Sequence, residues 1–294
     1  MRVLVTGASG LLGRSVARVL VERGDDVMVM QRRPAGVAGA REALGDIADV
    51  DAVRAATDGR DAVVHLAAKV HVVGRWADYE GTNVVGTRNV VEACHSAGVA
   101  RLVQVSSPSV AHLGKPLVGV DASAADPVRA RGAYALSKAQ AEVLALASDG
   151  PGLSVIAVRP HLVWGPGDPQ LVGRIVSRAR SHRLALVGTG AALIDTTYID
   201  NAVAALVAAL DRCDDAHGQA LVVSNGEPRT VAELIAAICR AAGVPQPRLH
   251  VPAPLARGGG AVVGRLWALV GATGDPPLTR FLAEQLSTAH WFDQ

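Results

Sequence analysis

The chain has 294 residues, half of them hydrophobic and 19% charged, with a net charge of +2. It is long enough for a large α/β domain plus a smaller one, and too apolar for a disordered chain. The basic residues are nearly all arginine, with only Lys69, Lys115 and Lys138 as lysines. No basic block suits a nucleic-acid surface.

Cys94, Cys213 and Cys239 are odd in number and widely spaced. They give neither a disulfide framework nor a zinc pattern, and point to a reducing cytoplasm. The apolar start at residues 3–5 runs into glycines, unlike a signal peptide. No uncharged apolar run reaches the roughly 18 residues of a membrane span. The stretch 258–274 is broken by Arg265; we read it as a helix of the substrate-binding part, with a shallow membrane contact as the alternative.

In chain order, residues 2–5 read as a strand, 11–22 as a helix stopped by Gly24, 26–30 as a strand and 62–66 as another. A helix at 87–97 ends at Gly98, followed by a strand at 102–105, a helix at 134–147 and a strand at 154–158. This alternation predicts an α/β fold with a doubly wound parallel sheet of Rossmann type. The pattern changes after Arg159-Pro160, where residues 165–169 are loop chemistry. A helix at 171–180 lies outside the sheet, one at 200–210 returns to it, and 220–223 adds a strand. From 227 on, Pro-rich connections link short helices at 231–242, 264–270 and 278–286. The expected division is a dinucleotide-binding domain over 1–160 and 196–226, with a smaller, mainly helical substrate domain over 161–195 and 227–294.

Thr6-Gly7-Ala8-Ser9-Gly10-Leu11-Leu12-Gly13 joins the first strand to the first helix. Glycines allow a tight turn and let backbone approach a pyrophosphate, and the helix N-terminus offers free N–H groups. The strand–turn–helix context raises this above an ordinary Gly-rich turn. An NAD site needs a carboxylate about 20 residues past the glycines for the ribose 2′-OH. Met30-Gln31-Arg32-Arg33 has none. Arg32 and Arg33 suit a 2′-phosphate instead, so NADP(H) is predicted, with NAD(H) as the alternative. Asp46 is placed at the adenine amine with Ile47 packed on the ring. Leu66, Ala67 and Ala68, small or apolar residues ending the fourth strand, let backbone pass close to the cofactor. His65 beside them reads as a core histidine.

Tyr134 and Lys138 stand four apart on one helix face. A tyrosine of ordinary pKa near 10 is too weakly ionised to be a base at neutral pH. A nearby ammonium and a cationic nicotinamide both favour phenolate, and Lys138 can also hold the nicotinamide ribose. In a chain with so few tyrosines and lysines, this pairing seldom arises by chance. Ser106-Ser107-Pro108-Ser109 follows the fifth strand. A hydroxyl there can steady the reacting oxygen. Ser107 is the first choice, with Ser106 and Ser109 as alternatives; Ser106 is also placed among the cofactor contacts.

These motifs resemble the extended short-chain dehydrogenases/reductases, through Thr6–Gly13, Tyr134–Lys138 and Arg159-Pro160. The resemblance implies Tyr134 as catalytic acid/base, Lys138 as its partner and Ser107 as donor to the substrate oxygen. It implies Pro160 and Val163 beside the nicotinamide, and Ala67 and Lys69 near the ribose. Residues 159–168, 195–201 and 276–280 are similar to the 3β-hydroxysteroid dehydrogenase/isomerase-like branch. Residues 286–293 look most like bacterial reductases of 2-alkyl-3-oxoalkanoic acids.

Where nucleotide-sugar enzymes usually carry Asn, this chain has Leu162, and Pro108-Ser109 lacks the Asp-Glu pair of the dehydratases. Both departures point away from sugars. Family members generally run some tens of residues beyond a segment like 290–293, so a C-terminal truncation or a missing last helix is expected.

The leading expectation is an NADP(H)-dependent oxidoreductase acting on a secondary alcohol or ketone of a small hydrophobic substrate, a 3-oxo acid or a 3β-hydroxysteroid. An epimerase or isomerase without net redox is the first alternative, and a non-catalytic NADP-binding protein the second. A cytoplasmic homodimer, joined through a two-helix face, is what the resemblance implies.

Overall fold

Seven segments, six of them containing valine, pair into one parallel sheet. Its strands are β1 (Arg2–Thr6), β2 (Asp26–Gln31), β3 (Arg41–Leu44), β4 (Ala62–His65), β5 (Arg101–Val105), β6 (Ser154–Pro160) and β7 (Ala220–Val223). The computed structural model describes residues 1–70, 73–269, 276 and 278–294. The strand order is β7-β6-β5-β4-β1-β2-β3. Chain direction across the sheet therefore reverses between β1 and β4, and doubly wound sheets bind ligands at the carboxyl ends of strands at such a switch point.

Strand alternation sends side chains to opposite faces. Val3, Val5, Val29, Val64, Val103 and Ile156 pack with helices Leu11–Glu22 and Ile199–Asp211. Leu4, Met30, Val63, Leu102 and Val155 pack with helices Val50–Thr57, Gly86–Ala97 and Ala133–Leu146. Both faces are covered, which explains why the strands read as nearly continuous apolar runs.

Beyond Pro160 the chain builds short sheets. Leu193–Ile194 pairs with Arg229–Thr230 and with His290–Phe292, which in turn pairs with Leu117–Val120. Ala185–Val187 pairs with Leu249–Val251. Leu186, Ile194, Val231 and Ile235 form a separate core, packed by helices Val172–Arg180 and Val231–Ala241. The strand Leu117–Val120, absent from the sequence reading, reaches from within the first 160 residues into this part.

One predicted helix changes. The short helix expected at 264–270 is the end of a longer one, Ala253–Leu269. Within it a Cβ on Gly260 would stand 2.5 Å from the carbonyl carbon of Thr279, so that glycine serves a close approach. Position 270, the rest of the stretch ending at 274, and position 277 of the motif at 276–280 lie outside the described residues.

Helix Ala133–Leu146 is fastened to β6 by an ion pair in the dry interior. Arg159 Nε donates to Glu142 Oε2 at 2.8 Å, and Arg159 Nη1 donates to the Ser123 carbonyl at 2.7 Å. Arg159 and Glu142 are each 2% exposed. Arg159→Met leaves the Glu142 carboxylate buried and unpaired, which costs about 3–5 kcal/mol. The expected result is a correspondingly lower urea midpoint; a loss under about 1 kcal/mol would show that the pair carries little.

Candidate active site

A cleft of about 1080 Å³ opens at the carboxyl ends of β1, β4, β5 and β6 and continues between the sheet and the later segments. Its first wall is the glycine turn, with Gly7, Ser9, Gly10, Leu11, Leu12 and Gly13 all facing it. Gly7 has φ +78, and a Cβ there would lie 2.7 Å from the Ala67 nitrogen. A Cβ on Gly13 would lie 2.5 Å from the Gly7 carbonyl oxygen. Gly10, as N-cap of helix Leu11–Glu22, supplies no side-chain cap, and the first turn holds no acidic residue. The amides at this helix start are thus left for an anion. The turn fits a dinucleotide pyrophosphate by its own geometry.

His65 holds this turn from behind. Its Nδ1 is 2.7 Å from Thr6 Oγ1 and its Nε2 is 3.1 Å from Thr87 Oγ1. Thr87 Oγ1 donates to the Asn83 carbonyl, so the imidazole N–H is on Nε2 and Nδ1 accepts from Thr6. Thr6 Oγ1 in turn accepts from the Ala67 N–H at 3.1 Å. Burial, with the Lys138 charge second, pushes His65 down to about 3. The ring is a neutral core group, as the sequence suggested.

Leu66, Ala67 and Ala68 line the cleft beside Gly7. Arg32, Asp46 and Ile47 form the end beyond β2. Arg32 Nη1 stands 3.9 Å from Asp46 Oδ2, on a side chain that is 77% exposed. Asp46 Oδ1 accepts from the Ala48 N–H. Arg33 and Lys69 do not line the cleft. Lys69 turns to Asp78 at 3.2 Å and lies over the Tyr79 ring, while its backbone N–H donates to Asn83.

Tyr134, Lys138, Ser106 and Ser107 meet on the opposite wall, with Pro160 and Val163 next to them. Burial pushes the Tyr134 phenol up from its ordinary value, and the nearby Ser107 hydroxyl acts the other way, favouring phenolate. Ser107 Oγ is also 3.0 Å from Ser109 Oγ. Ser106 is buried, and its hydroxyl has no protein partner. Lys138 Nζ donates to the Val105 carbonyl at 2.6 Å. Burial pushes this ammonium down to about 8, against the pull of Glu142.

Several residues that organise the site were not singled out from sequence. Asn83, in the π-helical turn Glu80–Val85, donates to Ser137 Oγ at 2.8 Å and brackets the Lys69 backbone. A buried asparagine on a helix leaves no mark in a single sequence. Glu142 had a readable signal, since it follows Lys138 by one helical turn. His161 and His290 pair at 3.0 Å. His290 Nε2 reaches the Gln285 carbonyl, so His290 Nδ1 accepts from His161. Leu162 holds φ +44, a left-handed backbone that Asn adopts more easily than a bulky residue. The strain is accepted to put an apolar side chain into the cleft wall.

Lys138 makes a pH prediction for the cofactor-free protein. Its folded pKa, about 8, is below the roughly 10.4 of an unfolded lysine. Between those values the unfolded chain binds the extra proton, so stability gains as pH rises through the window and loses it as pH falls through 8. The urea midpoint of the wild type should rise relative to Lys138→Met from pH 7 to pH 9.5. A constant difference would mean that the buried ammonium carries no such penalty.

Comparison with known proteins agrees with this fold. The profile of the NAD dependent epimerase/dehydratase family matches residues 3–224. A 2-alkyl-3-oxoalkanoate reductase of Stenotrophomonas maltophilia (strain K279a) is 43% identical over 302 residues, covering 99% of this chain and 91% of that protein. A 3 beta-hydroxysteroid dehydrogenase/Delta 5-->4-isomerase of Mycobacterium tuberculosis (strain ATCC 25618 / H37Rv) is 33% identical, covering 87% and 73%. MoeE5, solved in complex with UDP-glucose and NAD, superposes with a TM-score of 0.74 at 30% identity over 86% of this chain and 85% of its own. The chain belongs to the NAD dependent epimerase/dehydratase family of short-chain dehydrogenases/reductases, and is an enzyme acting on CH–OH groups with NAD(P).

Proposed function

We propose that this enzyme is an NADP(H)-dependent reductase of a hydrophobic 3-oxo acid, of the 2-alkyl-3-oxoalkanoate type, with a 3β-hydroxysteroid as the alternative substrate. The observation that carries the reading is the meeting of Tyr134, Ser107 and Lys138 at the switch-point end of one cleft. The 43% identical relative named as a 2-alkyl-3-oxoalkanoate reductase supports the substrate class.

The nicotinamide, when bound, supplies or accepts the hydride. Tyr134 then gives a proton to the substrate oxygen during reduction, or takes it during oxidation. Ser107 donates to that same oxygen and steadies its charge. Lys138, held in place by the Val105 carbonyl, keeps a positive charge near the phenol and reaches the ribose. Gly7, Gly10 and Gly13 hold the pyrophosphate, and Ser106 offers its unpartnered hydroxyl to the cofactor side. Pro160 and Val163 border the nicotinamide.

Arg32 supports the coenzyme preference, since it faces the cleft with only a distant carboxylate beside it. Arg33 and Lys69 stay in the reading as contacts that need their side chains to turn toward the ligand. The segments 161–195 and 227–294 act as the substrate domain against the dinucleotide domain of 1–160 and 196–226. A role in lipid metabolism, a cytoplasmic location and a homodimeric state complete the proposal. The three cysteines are buried thiols, and no helix among the described residues is long and apolar enough to cross a membrane.

Tyr134→Phe should lower kcat by at least about 100-fold while leaving NADPH affinity within a few-fold; retained turnover would remove Tyr134 from the chemistry. Arg32→Asp should move the kcat/KM ratio for NADPH over NADH toward NADH by about tenfold or more, as expected where a guanidinium reads a phosphate. An unchanged ratio would sink the NADP(H) preference. Absorbance at 340 nm separates a net oxidoreductase from an epimerase or isomerase, which leaves the nicotinamide absorbance unchanged over many turnovers.

A further inference from the structure

We propose that His112 and Arg131 form a carboxylate-reading corner of the cleft, which makes the site selective for 3-oxo and 3-hydroxy acids over neutral ketones and alcohols. The inference rests on the reductase reading above and assigns the part of the substrate that sets specificity.

His112 closes the short 3₁₀ turn Pro108–Ala111 that Ser107 opens. Its ring is in the cleft wall and 1% exposed, yet neither nitrogen has a protein partner. A neutral imidazole carries one N–H and one lone pair. Leaving both dry incurs a desolvation cost that native interiors seldom tolerate without a ligand or water to repay it. The aromatic neighbour is Phe281, edge-on at 6.5 Å, which adds no polar atom to the ring's surroundings.

Arg131 belongs to the same corner. Its backbone N–H donates to the His112 carbonyl at 3.4 Å, and its side chain lines the cleft three residues before Tyr134. Glu284 Oε1 accepts from Arg131 at 2.9 Å and from Arg280 at 3.0 Å. One carboxylate thus joins two guanidinium groups; at the His112 ring its charge acts more strongly than that of Arg131, and Arg131 has N–H groups beyond the one it gives to Glu284. Arg174, Arg178 and Arg183 also line the substrate side. Among the described residues of that side, Asp168 is the carboxylate in the wall, and its oxygens already accept the N–H groups of Gln170, Leu171 and Val172. The corner therefore offers hydrogen-bond donors to an anion through His112 and Arg131.

A 3-oxo acid carries its carboxylate two bonds from the carbonyl carbon. Once Ser107 and Tyr134 hold the carbonyl oxygen, the carboxylate falls beside the turn that ends in His112. Its alkyl chains then run along Leu162, Ile175, Leu184, Ile194, Leu282 and Leu286. A neutral ketone leaves the His112 N–H without an acceptor.

The test compares a 2-alkyl-3-hydroxyalkanoic acid with its methyl ester. Calorimetric binding to protein loaded with reduced nicotinamide dinucleotide gives affinity with no turnover. The acid should bind at least tenfold more tightly than the ester. His112→Phe and Arg131→Met should each cut that ratio below threefold, and His112→Gln, which keeps an N–H donor, should recover part of it. Arg131 is partly exposed, so its variant decides the matter if the His112 variants fail to fold. A ratio near one in the wild type, or a ratio unchanged in the variants, overturns the proposal. Reduction of oxidised cofactor by the acid is followed separately. An acid that binds with the expected dependence on His112 but is never oxidised would uphold the corner and refute the reductase reading.

Discussion

A Cβ on Gly7 would lie 2.7 Å from the Ala67 nitrogen, and one on Gly13 would lie 2.5 Å from the Gly7 carbonyl oxygen. Three stretches of backbone meet here with no room for a side chain: the end of β1, the start of helix Leu11–Glu22 and the end of β4. The rest of the site depends on this approach. It brings the helix N-terminus to the switch point, and it lets Thr6 hydrogen-bond both His65 and Ala67. Neutral His65, wedged between Thr6 and Thr87, ties the cofactor turn to the helical layer that also carries Asn83.

The opposite wall solves a different problem, that of keeping a cation in a dry interior. Lys138 is 4% exposed. Its ammonium donates to the Val105 carbonyl, and Glu142, one turn along the helix, favours its charged form. Glu142 is itself committed to Arg159, so the electrostatic balance near the phenol extends from β5 to β6. Burial works against ionisation of Tyr134, while Ser107 works for it. The phenol thus lies in surroundings where a nearby positive charge has a large effect, because the effective dielectric is low.

The later segments give the cleft its apolar side. Leu162 takes a left-handed backbone to present a hydrocarbon side chain where an asparagine would sit with less strain. The paired rings of His161 and His290 join the end of β6 to the C-terminal strand, and burial keeps both neutral, His161 well below its ordinary value and His290 at about 4. The cleft wall combines apolar side chains such as Leu162, Ile175 and Leu286 with polar ones, which suits a ligand that is mostly hydrocarbon with one charged end.

Much was legible in the sequence because it rests on local physics. The glycine turn, the alternating strands and helices, and the Tyr134–Lys138 spacing follow from turn geometry and from the periods of 2 and 3.6 residues. The helix at 11–22 and the strand at 220–223 coincide with the observed elements. The sequence by itself thus determined the parallel sheet, the glycine turn and the placing of Tyr134 and Lys138 on one helix face. Other features depend on contacts between residues far apart in the chain, and only the tertiary structure decided them. The close approach of Gly260 to the Thr279 backbone appears only in the fold. Of three neighbouring serines, Ser107 was the first choice from sequence, and in the fold it is the one whose hydroxyl acts on the phenol's ionisation. Arg33 and Lys69 share the motifs' neighbourhood in sequence, but their side chains lie off the cleft wall. Spacing along a chain fixes which residues share a turn or a face, whereas the direction a side chain takes is set by the partners that packing delivers to it.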